Sequence, residues 1–534
     1  MGSMDAGWDL SLAIATKCGG SDHHQLHLAG VVLFICTFMF FIHWASPGGS
    51  AWGKLRRRKD KPIPGPRGLP IIGSMNLMHG LAHRKLAAEA GAFKAWRLMA
   101  FSLGNTRVII TSDSDVAKEI LNSSAFADRP VKESAYALMF HRAIGFAPYG
   151  VYWRTLRRIA ATHFFSPKQL AASYPQRAEI ADQMVAALKA LSFSDVCVRA
   201  RDVLKLASLN NIMWSVFGRR YELLSESDEE MQVVKRLVDE GYELLGKLNW
   251  SDHLTFLSGF DPQGIRFRCT RLVPKVNQFV TRLIDDHRAV AAAAAAAAKQ
   301  VPDFVDVLLS LPDADRLSDP DMVAVLWEMI FRGTDTVAVL IEWVLARLVM
   351  HGDVQEEVHK ELDRVVGVHR AVTETDTGSL VYLNAVIKEV LRLHPPGPLL
   401  SWARLATCDT YVDGKQVPAG TTAMVNMWAI THDPHVWESP HEFRPNRFLE
   451  PNRAEFPILG SDLRLAPFGS GRRSCPGKAL ALTTVSFWVA SLLHEFHWAP
   501  PSHNTRVDLS EVLTLSCEMA IPLVVKLYPR RNIT

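Results

Sequence analysis

The chain has 534 residues, 48% of them hydrophobic and 21% charged, with a formal net charge of +4. This composition suits a folded protein with a large core and excludes a solvated, disordered polymer. Basic and acidic residues are mixed along most of the chain, so nothing points to nucleic acid. Seven cysteines, odd in number and without a CxxC pair, fit a reducing compartment rather than a disulfide framework.

In chain order, the first element is Leu28 to Ala45, eighteen residues without Asp, Glu, Lys or Arg. As a helix it spans about 27 Å, close to a bilayer's hydrocarbon thickness. It is long for a signal-peptide core and the "SPGGSAWGK" that follows is a poor cleavage site, so a retained transmembrane anchor is expected. Lys54, Arg56, Arg57, Arg58, Lys59 and Lys61 follow the span and only Lys17 precedes it, which predicts a short lumenal N-terminus (1–27) and a body facing the cytosol. The glycosylation sequons at Asn122, Asn249 and Asn532 are then expected to stay unused. Residues 46–70 read as a basic and proline-rich linker, with "PIPGPRGLP" as an extended spacer; 71–534 is expected to be one catalytic domain.

From there to about residue 400 the pattern is mainly helical. The run Ala291 to Ala298 reads as a helix extension or a surface loop. Asp319 as cap and Pro320 at the first position predict a long helix reaching about Met350. Inside it, "EMIFRGTDTVAVL" (Glu328 to Leu340) places an arginine, a glycine and an acid–threonine pair among apolar residues. Thr410 to Trp428 predicts short strands with a hairpin turn at Asp413-Gly414.

The strongest local signal is "PFGSGRRSCPGKALALTTV", Pro467 to Val485. Four readings compete for Cys475. A phosphate loop needs Ser or Thr after Gly-Lys, and Ala479 stands there; a disulfide does not suit a reducing compartment; a nucleophile has no histidine close in sequence to act as its base. The fourth is a metal ligand. Pro476 at the first helical position would put Cys475 at a helix N-terminus, where free amides favour a thiolate, and a lone thiolate with open space opposite suits haem iron. On these residues alone a plain buried cysteine is an equal alternative.

Phe468, Gly471, Arg473, Cys475 and Gly477 match, position for position, the haem-binding loop of the cytochromes P450, and the chain resembles that family. The resemblance implies that Cys475 ligates the iron of haem b and that Arg473 holds a haem propionate. "KEVLRLHPP" sets Glu389 and Arg392 on one helix face before Pro395-Pro396; followed by "FRPNRF", it resembles the family's Glu-Arg-Arg lock, with Arg447 as third member and a structural role. Trp153 and Arg157 of "WRTLRR", four apart, resemble the segment that pairs with a propionate, and Arg404 of "SWARLA" is a further propionate candidate. Asp335 and Thr336 match the acid–alcohol pair that delivers protons while dioxygen is reduced. Gly333 is expected to leave room for the ligand and to permit local helix distortion. Phe140, Phe331, Leu399 and Leu400 are expected near the distal face as hydrophobic substrate contacts, with ordinary core packing as the alternative. Arg332 departs from the family's usual small residue and Val337 from its usual Ser or Thr. Arg332 has two readings: it turns away into a polar network, or it meets an acidic substrate group.

"SPGGSAWGK", "PIPGPRGLPIIGSM", "GLAHRKLA", "FADRPVKESAYALMFHRAIGFAPYGVYWR", "LNWSDHL" and "FRGTDT" together resemble the plant seventy-eight A family. That implies a mainly α fold, a helical triangular prism with a small β portion, on the endoplasmic-reticulum membrane. It also implies a monooxygenase that takes O2 and a hydrophobic substrate from the bilayer, with electrons from NADPH through a flavoprotein reductase. The family is linked to organ, seed and embryo growth, with fatty-acid hydroxylation attributed to some members. Two rival readings are a haem-binding sensor or scaffold without turnover and a peroxide-rearranging relative that needs no reductase. Neither requires the proton delivery that Asp335 and Thr336 suggest.

Overall fold

The computed structural model describes residues 22–55, 61–130, 132–193, 197–223, 228–293, 302–400, 403–450, 456, 458–459, 462–502 and 504–531. The N-terminal stretch 1–21, the basic run 56–60, alanines 294–298 and the sequon at Asn532 lie outside them. Helices of nine residues or more are α1 (Asp22–Trp44), α2 (Ala82–Ala92), α3 (Ser114–Asn122), α4 (Val151–His163), α5 (Tyr174–Phe193), α6 (Ala200–Phe217), α7 (Glu229–Gly246), α8 (Ile265–Ala293), α9 (Asp319–Met350), α10 (Gly352–Val365), α11 (Val381–Leu393) and α12 (Lys478–Glu495). The alanine run therefore extends α8 through Ala293.

α9 runs 32 residues through the middle of the molecule. Its cap is Ser318, whose Oγ accepts from the Asp321 amide, rather than Asp319; Pro320 falls one place further in, where a missing N–H costs nothing. Two apolar clusters share this helix. Its N-terminal half, Met322 to Phe331, packs with α4, α7 and α8; its C-terminal half, Ala338 to Leu348, packs with α5, α11 and α12. An apolar residue at nearly every position makes the helix buried all round, and Trp327 and Trp343 are both fully buried. Truncating either to Ala would cost about 3–5 kcal/mol.

The β portion is small. β1 (Met99–Leu103) and β2 (Thr106–Thr111) pair antiparallel with Met99 opposite Ile110. β2 continues parallel to β7 (Thr422–Val425), which takes β4 (Arg404–Leu405) antiparallel, Arg404 opposite Ala423. Between them β5 (Thr410–Val412) and β6 (Lys415–Val417) form the expected hairpin, with Asp413 and Gly414 both at positive φ, 50° and 68°, as a two-residue turn of this hand requires. β3 (Val198–Arg199), β11 (Val524–Pro529) and β8 (Phe496–Ala499) make a second sheet, and β9 (Glu511–Leu513) pairs with β10 (Cys517–Met519).

The proline-rich stretch lies against the first sheet. Ala100 N–H donates to the Pro64 carbonyl, Trp52 Nε1 to the Phe101 carbonyl, and Ser102 Oγ to the Gly48 carbonyl. A Cβ on Gly65 would fall 1.9 Å from the Ala100 oxygen, so only glycine permits that approach. Upstream, α1 carries a row of exposed apolar side chains including Leu28, Leu33 and Phe34. Among the described residues no helix is long and apolar enough to cross a membrane.

Candidate active site

α9 and the loop that precedes α12 form opposite walls of one cavity. Glu328, Arg332, Gly333, Thr336 and Val337 face it from the helix; Phe468, Arg473, Cys475 and Gly477 face it from the loop. Gly469 and Gly471 turn the loop at φ 68° and 69°. At Gly471 a Cβ would sit 2.1 Å from the Leu121 carbonyl oxygen, so glycine is what lets the loop seat on α3. Cys475 N–H then donates to the Phe468 carbonyl at 3.0 Å and closes the turn.

Burial pushes the Cys475 thiol up, opposed by the Gly477 amide bonded to its sulfur and by the charges of Arg332 and Arg157. The sulfur precedes the helix rather than standing at its first turn. α12 begins at Lys478 with Gly477 as cap, so Pro476 is not a helical residue, and the Gly477 amide is spent on the sulfur instead.

One side of the cavity is built from arginines. Arg473 donates from Nε to the Ala127 carbonyl (2.9 Å) and from Nη2 to the Ala147 carbonyl (2.7 Å), with its guanidinium 4.3 Å from the centre of the Trp153 ring. Trp153 Nε1 donates to the Ile144 carbonyl, and Arg157, one turn along α4, donates to the Ser474 carbonyl. Arg404 reaches the Ser470 carbonyl with Nη2 at 3.4 Å, while its buried Nη1 has no partner. Arg129 lines the same wall; sequence reasoning passed over it, although it stands in the quoted "FADRP". Burial holds all four below the usual guanidinium range, with repulsion from neighbouring arginines adding to it at Arg129, Arg404 and Arg473; Arg473 stands at about 10 and Arg404 at about 9. A desolvated cluster of positive charge with an unmet donor calls for an anion. Apolar walls, a thiol and this arginine side together fit haem b, whose two propionates, ring and iron need those three things.

Behind the loop, Glu389 and Arg392 form a bidentate pair (2.8 Å twice) and Arg447 Nε donates to the same carboxylate at 3.1 Å. All three are buried. The remaining guanidinium donors reach carbonyls of Thr431, Glu438, Pro440 and Glu442, so the trio ties α11 to the 431–447 segment.

Several expectations about α9 change. Gly333 does line the cavity, but a Cβ there would lie 2.3 Å from Ile212 Cδ1 of α6; the small residue serves a close helix crossing, and the helix runs through it unbroken. Thr336 faces the cavity, whereas Thr334 is the one that bonds back to its own helix, at the Ile330 carbonyl. Asp335 turns away from the cavity to an ion pair with Lys205 Nζ at 2.9 Å, in a separate polar hollow that also holds Asp239, Tyr242 and Glu518.

Arg332 does not turn away. It lines the cavity and ion-pairs with Glu328 at 3.3 Å, so its polar network lies inside the site. Glu328, which sequence reasoning passed over, accepts from the Gly145 amide at 2.9 and 3.1 Å. Burial raises its carboxyl, opposed by the charge of Arg332 and by backbone hydrogen bonds at Gly145 and Ile144. Of the four expected substrate contacts, Leu399 and Leu400 line the cavity. Phe140 and Phe331 do not: they pack on each other with ring centres 5.1 Å apart, and Phe331 also stacks on Tyr242. Both sit on the core side of α9, where aromatic packing is the stronger claim.

Residues 63–518 match the cytochrome P450 family. The chain is 63% identical over 531 residues to Cytochrome P450 78A9 of Arabidopsis thaliana, with 98% of each chain covered. It is 60% identical over 527 residues to Cytochrome P450 78A3 of Glycine max, again with 98% of each covered. To the Flavonoid 3'-monooxygenase CYP75B137 of Crocosmia x crocosmiiflora it is 34% identical over 494 residues, 89% of this chain and 94% of that one. With a thiol, an arginine wall and this length of matching sequence, the chain belongs to the cytochrome P450 family of haem-thiolate monooxygenases, within its 78A group.

Proposed function

We propose that the protein is a membrane-anchored monooxygenase that inserts one atom of O2 into a hydrophobic small molecule, drawing electrons from NADPH through a flavoprotein reductase on the endoplasmic-reticulum membrane. The observation that carries the reading is Cys475 facing Thr336 across a single cavity flanked by arginines. Haem, when bound, supplies the iron at which dioxygen is activated. Everything else is work for the chain. Arg404 and Arg473 would hold the propionates, Cys475 would offer its sulfur, and Leu399 and Leu400 keep the walls apolar and water scarce. Thr336 presents a hydroxyl to the cavity and can hold a proton there, while Asp335, one residue earlier, holds its carboxylate toward the polar hollow with Lys205.

The uncharged stretch Leu28 to Ala45 and the exposed apolar row on α1 support an anchor, with basic residues after it on the cytosolic side. A substrate drawn from lipid, a fatty acid or a lipid-derived growth signal, suits that placement. The ferrous carbon-monoxide spectrum of wild type and Cys475→Ser is the first test: the thiolate signature must vanish in the variant alone. NADPH consumption matched by product in membranes reconstituted with reductase is the second. Turnover of a hydroperoxide without reductase would overturn the monooxygenase reading, and ligand binding without any turnover would favour a sensor.

A further inference from the structure

Outside the cavity lining, a buried group of polar side chains joins three distant parts of the chain: His83 on α2, His394 at the end of α11, and Glu511 and Cys517 on the β9–β10 hairpin. The ligand atoms of His83, Glu511 and Cys517 all lie within 4.8 Å of one another. His83 is fully buried and neither of its ring nitrogens has a hydrogen-bond partner. Leaving both unmet costs about 1–3 kcal/mol each, so this cluster wants something more than the side chains supply. Glu511 Oε2 stands 3.6 Å from His83 Nε2. That is too long for a hydrogen bond, but it is roughly the edge of a tetrahedron whose corners lie about 2.1–2.3 Å from a central ion.

We infer that His83, Glu511 and Cys517 form a binding site for a divalent transition cation of the zinc class, which staples the C-terminal hairpin to α2. Imidazole, carboxylate and thiolate are a borderline-soft set of the kind zinc takes, with the fourth position open to water. On binding, the ion replaces the thiol proton of Cys517, which leaves to solvent, and no electron moves.

The backbones that carry the ligands are already fixed. Asn426 Nδ2 donates to the His83 carbonyl at 2.7 Å; the Cys517 amide donates to the Pro396 carbonyl and Trp343 Nε1 donates to the Cys517 carbonyl. His394 stands behind Glu511: its Nε2 accepts from Arg347 Nε, so Nδ1 carries the proton and donates to Glu511 Oε1 at 3.0 Å. That is the orienting bond a ligating carboxylate needs. The opposing feature is Arg84, whose guanidinium contacts Glu511 Oε2 at 2.7 Å. Its side chain is 47% exposed, so it can yield to solvent when the ion arrives. The other trio with suitable donors, His287, Asp303 and Asp306, already bonds within itself through His287 Nε2 and Asp303 at 2.9 Å.

The test uses the haem-loaded full chain, stripped with chelator, equilibrated with Zn²⁺ and desalted, with zinc and haem iron counted per chain. Wild type is expected to retain one zinc per haem. Cys517→Ser and His83→Gln should each weaken retention at least tenfold while keeping haem content, which reports intact folding. Arg84→Ala should bind more tightly, because it frees Glu511. With Co²⁺ in place of Zn²⁺, a sulfur-to-cobalt absorption band should appear in wild type and be lost in Cys517→Ser. Failure of wild type to hold zinc, or equal retention by Cys517→Ser and His83→Gln, overturns the site. If His83→Gln loses haem, Cys517→Ser decides alone.

Discussion

Arg404 offers the sharpest test of the arginine wall, because one substitution should move stability in opposite directions with and without haem. Its guanidinium is buried, has an unpartnered Nη1, and is pushed well below the usual guanidinium range, to about 9, by burial and then by Arg473 and Arg157. A shift of that size is about 5 kcal/mol against the charged form at neutral pH. The sign is fixed: the group is charged in the unfolded chain and charged in the fold below about pH 9, so the fold carries the penalty throughout the physiological range. Arg404→Leu removes the charge but also a long 3.4 Å bond to Ser470 and some packing. The cofactor-free protein should therefore gain roughly 1–3 kcal/mol. In the loaded protein the same change removes a charge-assisted bond, and haem should be lost roughly 10–100 times faster. Urea denaturation of the stripped protein, followed by tryptophan fluorescence, gives the first quantity; haem transfer to an excess of acceptor globin, followed in the Soret band, gives the second. Arg404→Lys, which keeps a titratable cation in the wall, should gain less than Arg404→Leu. A stripped Arg404→Leu protein less stable than wild type would refute the argument that this wall is strained without an anion.

Three further outcomes follow from packing and charge. Gly333→Ala drives a Cβ into Ile212 and should cost about 1–3 kcal/mol despite the better helix former; combining it with Ile212→Ala should recover most of that in a thermal double-mutant cycle, and additive losses would sink the contact. Glu389→Gln leaves Arg392 and Arg447 buried with half their acceptor, a loss of about 3–5 kcal/mol expected in the denaturant midpoint. His359 is buried, and burial lowers it from 6.5 to about 3. The unfolded chain takes up a proton that the fold refuses, so stability falls with pH between about 6.5 and 3. His359→Leu should flatten the dependence by about 1.4 kcal/mol per pH unit in urea midpoints taken from pH 6 to 4; an unchanged slope would show that other groups control it.

Motifs with a backbone reason were legible in the sequence. Asp413-Gly414 allows one kind of turn, and the glycines around Cys475 mark a loop no other residue could make, so both read correctly before any contact was known. Glu389 and Arg392 were legible because three-residue spacing on a helix fixes a pair. What the sequence could not show is which way a side chain points once helices pack. Phe140 and Phe331 look like pocket residues by composition, but Phe331 of α9 is packed between Phe140 and Tyr242 of α7. Gly333 lines the cavity as its sequence context suggests, but that a Cβ there would also meet Ile212 of α6 is visible only once the helices are packed. Arg129 and Glu328 carry no local signature, since their partners, the Ala403 carbonyl and the loop at Gly145, are distant in sequence from one or both of them.

α9 shows how much turns on a single residue of phase. Glu328, Arg332 and Thr336 are four apart and form one stripe, and all three face the cavity. Asp335 sits about 100° back around the helix, on the face that meets Lys205 of α6 and Tyr242 of α7. The acid and the alcohol thus belong to different compartments joined only through adjacent positions of one helix. That separation keeps the Asp335 carboxylate and its Lys205 partner out of the cavity. The same phase explains Arg332. Because it shares the Thr336 stripe it must look into the cavity, and because Glu328 lies one turn earlier it arrives with a carboxylate partner that is itself pinned to Gly145. An anionic substrate group would have to compete with that buried partner for Arg332. The residue therefore acts first on the shape and polarity of the cavity wall, by holding the loop at Gly145 against α9.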